Sequence, residues 1–143
     1  MIVAEVIERL RARTGSPFGL IEGAAELASL GNAQPPAMPA AYVYTAEEAA
    51  SENERINGVL QRLEIDLAVV VVAGNVSDAT GGAAASDIES LKRFVRSALV
   101  GWEPPSADDV VTNVGARIVR VRDGAVWCEM TFATALYETD EEA

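Results

Sequence analysis

The stretch from about Val59 to Ala73 constrains this chain more than any other, because at the two-residue period of a strand its two faces can be read separately. Leu63, Ile65, Leu67, Val69 and Val71 keep one face apolar throughout. The other face begins Arg62, Glu64 and Asp66 and then becomes Ala68, Val70 and Val72. One sheet face therefore has to pass from water into a covered environment, beneath one of the chain's own helices or beneath another subunit. A strand of that extent would be roughly 45 Å long, well beyond the usual five or six residues, so it is expected to project or bend.

Around this strand the chain alternates between helical and extended patterns. Ile2, Val3, Val6, Ile7 and Leu10 fall on one helical face, with Glu5, Glu8, Arg9 and Arg13 elsewhere, and Gly15-Ser16-Pro17 ends that helix. Phe18 to Glu22 reads as a short strand and Ala24 to Leu30 as a short helical turn giving way at Gly31-Asn32. Proline at 35, 36 and 39 forces an extended connection into a strand at Ala41-Tyr42-Val43-Tyr44. Thr45 to Ile56 carries Glu47, Glu48, Glu52 and Glu54 against one Arg55 with little periodic apolar content, and is predicted to be a mobile acidic surface loop.

Gly74 to Ala85 reads as a loop before a helix opened by the capping-box pattern Ser86-x-x-Glu89. Ile88, Leu91, Phe94, Val95, Ala98 and Leu99 give that helix its apolar stripe, and Gly101-Trp102-Glu103-Pro104-Pro105 ends it. Asp123-Gly124 suits the positive φ angles of a type I′ hairpin turn. A two-residue loop sets Val121 opposite Val126 and Val119 opposite Cys128 on one face, with Arg120 opposite Trp127 and Ile118 opposite Glu129 on the other. The expected class is α+β: a mixed, largely antiparallel sheet with two main flanking helices in a single domain over residues 1–137, followed by an acidic tail at 138–143.

Composition then narrows function. At 143 residues, half of them hydrophobic, the chain can bury roughly two-thirds of its unfolded surface without disulfide or metal staples. The balance of 11 basic and 22 acidic residues gives a formal net charge of −11, which disfavours nucleic acid as a ligand because phosphate affinity comes from Lys and Arg displacing counterions. There is no histidine and one cysteine, Cys128, so histidine acid–base catalysis, histidine metal sites, Cys–His nucleophiles and an internal disulfide are all excluded. The longest apolar run, Leu67 to Ala73, falls far short of the about 20 residues that span a bilayer, and a soluble, unprocessed protein made inside the cell is expected, with no membrane partner.

The candidate chemistry is sparse. Gly81-Gly82 precedes a helix, yet no following lysine completes a phosphate-binding loop. Glu64 with Asp66, and Asp108-Asp109, offer carboxylates for a magnesium ion or a glycosidase-type pair, against the plainer reading of a solvated face. Cys128 falls on the core face and reads as a small buried hydrophobe. No cofactor is expected. Ten of the eleven cations are arginine, and Arg117, Arg120 and Arg122 cluster beside the hairpin turn. Arginine suits interfaces because its planar fork grips carboxylates and stacks on aromatics. The acidic loop with Glu47 and Glu48, the acidic tail and this arginine cluster are complementary if neighbouring copies supply them; the alternative is pairing within one chain or with solvent. Trp102 reads equally as a core plug or an interface anchor, and Trp127, opposite Arg120, joins the candidate interface set.

Taken in order, several features resemble the tail terminator proteins of tailed bacteriophages and related prophage elements, from the first helix to about Tyr137. They are Pro39-Ala40-Ala41-Tyr42-Val43 before an acidic segment, Gln61-Arg62-Leu63-Glu64 leading into Val69-Val70-Val71, Asn75-x-x-Asp78-x-x-Gly81, and Ala98-Leu99-x-Gly101-Trp102-x-Pro104. The resemblance implies a non-enzymatic virion subunit that assembles as a ring, usually a hexamer, on the last ring of the tail tube. Such a ring stops tube polymerisation and joins the head connector or neck protein, and specificity lies in its surfaces. Six copies would carry 6 × −11 = −66, so DNA could pass through the lumen without adhering. Two other readings stay open: another neck or tail-completion protein, and a small metabolite-binding regulatory domain.

Overall fold

The long strand is the spine of the molecule. The computed structural model describes residues 1–74 and 82–140, without the side chains of 82–86. Its elements run α1 (Ile2–Ala12), β1 (Leu20–Gly23), α2 (Ala24–Leu30), β2 (Ala40–Ala50), β3 (Leu60–Gly74), α3 (Gly82–Leu99), β4 (Thr112–Arg122) and β5 (Ala125–Thr139). They form one five-stranded sheet in the order β1-β2-β3-β5-β4, parallel only between β1 and β2. The α+β class and the mixed, largely antiparallel sheet are as the sequence predicts. β3 pairs with β5 along its whole length, from Leu60↔Thr139 to Gly74↔Ala125.

The two faces of β3 divide the core as the residue pattern demands. Ile65, Leu67, Val69 and Val71 meet Val126, Cys128, Met130 and Phe132 of β5 under the buried faces of α1 (Ile2, Val6, Leu10) and α3 (Ile88, Leu91, Val95, Ala98, Leu99). At about 1.5–3 kcal/mol for each large apolar side chain fully buried, this cluster dominates the stability. The opposite face is exposed at Glu64, half-buried at Asp66 and buried at Val70 and Val72, where Ala40, Tyr42 and Trp127 join them with Leu27 and Leu30 of α2 packed on top. The cover required by the sequence is thus the chain's own short second helix. At the other end β3 does not project alone, for β2 and β5 accompany it as a three-stranded extension.

Several boundaries differ from expectation. The segment expected to be a loop from Thr45 is strand as far as Ala50, since pairing of Glu47 to Ala50 with Asp66 to Leu63 outweighs the low strand preference of Ala and Glu. Only residues 51–59 connect β2 to β3. The first residues of the tail expected from 138 are strand: Glu138 and Thr139 pair with Gln61 and Leu60, and the Asp140 carboxylate accepts from the Val59 N–H at 2.9 Å, while 141–143 fall outside the described residues. α3 starts at Gly82, so Ser86 lies inside the helix and does not open it, while Asn75, Asp78 and Gly81 fall outside the described residues.

The hairpin turn has the predicted geometry, Asp123 at φ 53° and Gly124 at φ 78°, with Val121↔Val126 and Arg120↔Trp127 in register. Beyond that a bulge at Val119 shifts the pairing to Ile118↔Cys128 and Arg117↔Glu129, correcting the expected partners of Val119 and Ile118. An extra residue changes which side chains share a face. Val126 and Cys128 are buried, but Val121 is 66% exposed and Ile118 52%, because β4 is the rim strand and the helices pack over β3 and β5.

Candidate functional site

Asp108 and Asp109 are structural: they fasten the connection after α3 to the part of β5 that β4 does not reach. The Asp108 N–H donates to Ala135 O at 2.8 Å and its carboxylate accepts from Tyr137 N–H at 2.8 Å, extending the ladder by side chain where strand pairing stops. Asp109 takes the Arg62 guanidinium at 3.0 Å, and its carbonyl accepts from the buried Thr134 hydroxyl at 2.9 Å. Arg62 also reaches Glu64 at 3.5 Å and lies 5.9 Å from the Tyr137 ring. Cys128 is buried, and burial pushes its thiol up, away from the thiolate that chemistry needs. Among the described residues no group of three or more acidic or cysteine side chains is placed to hold a metal ion.

The hydrogen bond from Arg62, then that from the Val110 N–H, holds the Asp109 carboxyl below the usual carboxylate range. A depressed pKa gives stability that is present above the unfolded value and lost as pH falls through the folded one. Asp109→Asn is therefore expected to lower the melting temperature at pH 7, with the gap to wild type closing below about pH 4. A gap unchanged between pH 7 and pH 3 would mean that the carboxylate charge has no part in it.

The predicted interface residues lie on two separate rims. Arg117, Arg120 and Arg122 are exposed on β4, and their partners Glu129, Trp127 and Ala125 put them on the sheet face that α2 partly covers. Each has a neighbour in the chain: Glu129 at 3.3 Å from Arg117, the Trp127 ring at 4.9 Å from Arg120, and Asp123 at 3.5 Å from Arg122. Trp127 is itself 7% exposed and serves as the floor beneath Arg120. Glu47 and Glu48 are exposed at the opposite rim, on β2, where neither forms an ion pair with any described residue. Trp102 belongs to neither rim: half-buried against the main core, it carries the Arg9 guanidinium 4.8 Å over its ring, and Arg9 Nε donates to Ala98 O at 2.9 Å near the end of α3.

Two features escaped the sequence. An open groove of about 410 Å³ runs between α2 and the arginine rim, walled by Leu27, Leu30, Tyr44, Val119, Arg120 and Trp127. Glu22 and Glu26 come together at the start of α2, where their shared hydrogen bond raises the Glu22 pKa and lowers that of Glu26, which also accepts from the Gly23 N–H at 3.4 Å. Their four-residue spacing is a signal for proximity on one helix, but the first belongs to a strand. No described helix is long and apolar enough to cross a membrane.

Set beside known proteins, the chain matches the family model described as phage tail terminator protein over residues 1–140. Among solved structures it is similar to a chain from the virion of a native gene transfer agent particle, with a TM-score of 0.60 and 16% identity, covering 96% of this chain and 95% of that one. At that identity the likeness speaks for the fold. No curated protein sequence matches the chain.

Proposed function

Because this chain belongs to the phage tail terminator family, and is thus a structural protein of the virion tail and not an enzyme, we propose that six copies form a ring on the last ring of the tail tube, end its growth and join it to the head. The observation that carries the ring is the separation of charge. Carboxylates with no ion pair among the described residues occupy one rim of the sheet and arginines the other, and a closed ring of six needs two different patches on each subunit. Glu47 and Glu48 on one side, with Arg117, Arg120 and Arg122 above Trp127 on the other, are the residues of that contact in this reading. Trp102 enters as the plug that holds the end of α3 in place behind it.

The β3–β5 ladder gives the subunit two distant ends, one bearing the loop at 51–59 and the other the turn at Asp123-Gly124. One end meets the tube protein and the other the head connector or neck protein. Tube growth stops because the head-side end lacks the surface on which the next tube ring would build. A subunit charge of −11 lets DNA pass without adhering.

Tail length tests this directly. Particles produced without the gene are expected to show overlong tubes lacking heads by negative-stain electron microscopy, corrected when the gene is restored from a plasmid. Tails of normal length would sink the terminator reading. Normal tails that fail to join heads would leave a neck component in its place.

A further inference from the structure

The sheet has two unpaired edges of different character. β4 is outermost over all of Thr112–Arg122. On the other side β1 accompanies β2 only from Ala40 to Val43, so none of the described strands lies beside Tyr44 to Ala50 on that side. An open edge presents a row of backbone donors and acceptors that will accept another strand, and proteins blunt such edges with charge and bulges. Both devices are present here: a bulge near Ala46 and two on β4, with glutamates on one edge and arginines on the other.

Charges of one sign on an edge blunt it only against edges of the same sign. Pairing β4 with β4 sets arginine against arginine, and pairing β2 with β2 sets glutamate against glutamate; like charges on neighbouring strands repel. Pairing β4 with β2 matches both faces. Glu47 pairs with Asp66 and so lies on the face that α2 partly covers, the same face as Arg117, Arg120 and Arg122. On the opposite face, exposed Ile118 and Val121 of β4 would come beside Thr45, Glu48 and Ala50, whose partners Leu67, Ile65 and Leu63 belong to or pack against the main core. That neighbourhood includes Met1, itself 80% exposed beside Thr45 and Glu48. Of these three pairings only β4 with β2 agrees in both sign and face.

We propose that copies of this chain join edge to edge, β4 of one beside Tyr44–Ala50 of the next, antiparallel, so that one sheet continues from subunit to subunit. This rests on the ring reading above and names its contact. The arginines meet Glu47 and Asp66 of the neighbouring copy across the join, while Ile118 and Val121 lose their exposure to water.

Two measurements on protein assembled on tail tubes test the contact. In a Cys128→Ala chain, Ile118→Cys or Val121→Cys is combined in turn with Thr45→Cys or Glu48→Cys, and the assembled protein is oxidised. At least one pair is expected to give a ladder of covalent oligomers on a denaturing gel, while each single cysteine leaves monomers. Charge reversal supplies the second readout. Arg120→Glu and Glu47→Arg are each expected to lower incorporation on tubes about tenfold, and the double variant to recover most of it because opposite signs face each other again. Recovery also shows that the single variants had folded.

Dimers from a lone β4 cysteine would mean that like edges pair and would overturn the proposal. So would rings on tubes in which no cysteine pair cross-links and the double variant stays as weak as the singles. In that case the ring reading survives without this contact, whereas the absence of rings from wild-type protein on tubes would remove both.

Discussion

Replacing Phe132 by alanine is expected to cost about 3–5 kcal/mol of folding stability and to lower the melting temperature by on the order of 10 °C. Phe132 is fully buried at the middle of β5, opposite Leu67 in the ladder and beneath both large helices. Its neighbours are held by strand pairing and by the stripes of α1 and α3, so they have little freedom to close over the missing ring. The transfer loss and the cavity loss therefore add. Phe132→Leu, which leaves a smaller gap, should cost under about 1.5 kcal/mol. Urea unfolding at fixed protomer concentration would check both, since self-association by itself makes stability depend on concentration. A loss below 1 kcal/mol for the alanine variant would mean that the site collapses and that the core around the long ladder is not fixed.

The second large effect concerns the face of β3 that changes character along its length. Val70→Asp is expected to cost about 3 kcal/mol at neutral pH, because it sets a charge beneath α2 among Tyr42, Val72 and Trp127, where Arg120 on the wall of the same groove is already stacked on the Trp127 ring. Asp66→Val, four residues earlier on the same face and half-buried, should change stability by no more than about 0.5 kcal/mol. The sign with pH is also fixed. A carboxyl whose folded pKa is raised by burial loses stability as pH rises through its unfolded value, so the Val70→Asp variant should regain stability on acidification. Equal costs at 66 and 70 would mean that α2 does not seal that end of the sheet.

Where pattern is local, the chain was legible before its structure. The stripe of α1, the apolar positions of α3, the two faces of β3 and the turn at Asp123-Gly124 all follow from spacing alone, and each stands in the fold. What spacing did not reveal depends on partners distant in sequence. Glu47 to Ala50 have poor strand preference and become strand because β3 is there to pair with them. The bulge at Val119 leaves no mark in composition, yet it exchanges Val119 for Ile118 opposite Cys128. Ser86-x-x-Glu89 has the form of a helix start and lies within a helix already begun. The arginine cluster and the glutamates were visible as charge. That they occupy opposite rims follows from the strand order, which brings β5 between β3 and β4 and leaves β2 half uncovered.

The 15-residue ladder between β3 and β5 has a mechanical meaning as well. Two strands bonded throughout make a beam roughly 45 Å long that resists stretching along its axis, since every cross-link shares a load applied at either end. The Asp140 carboxylate clasps the backbone beside Gly58 at one end, and the tight two-residue turn lies at the other, so neither tip splays easily. A push delivered at the loop of residues 51–59 arrives at the Asp123-Gly124 turn with little of it absorbed between. A subunit built on such a beam is a rigid strut that keeps its own shape when it is loaded at either end.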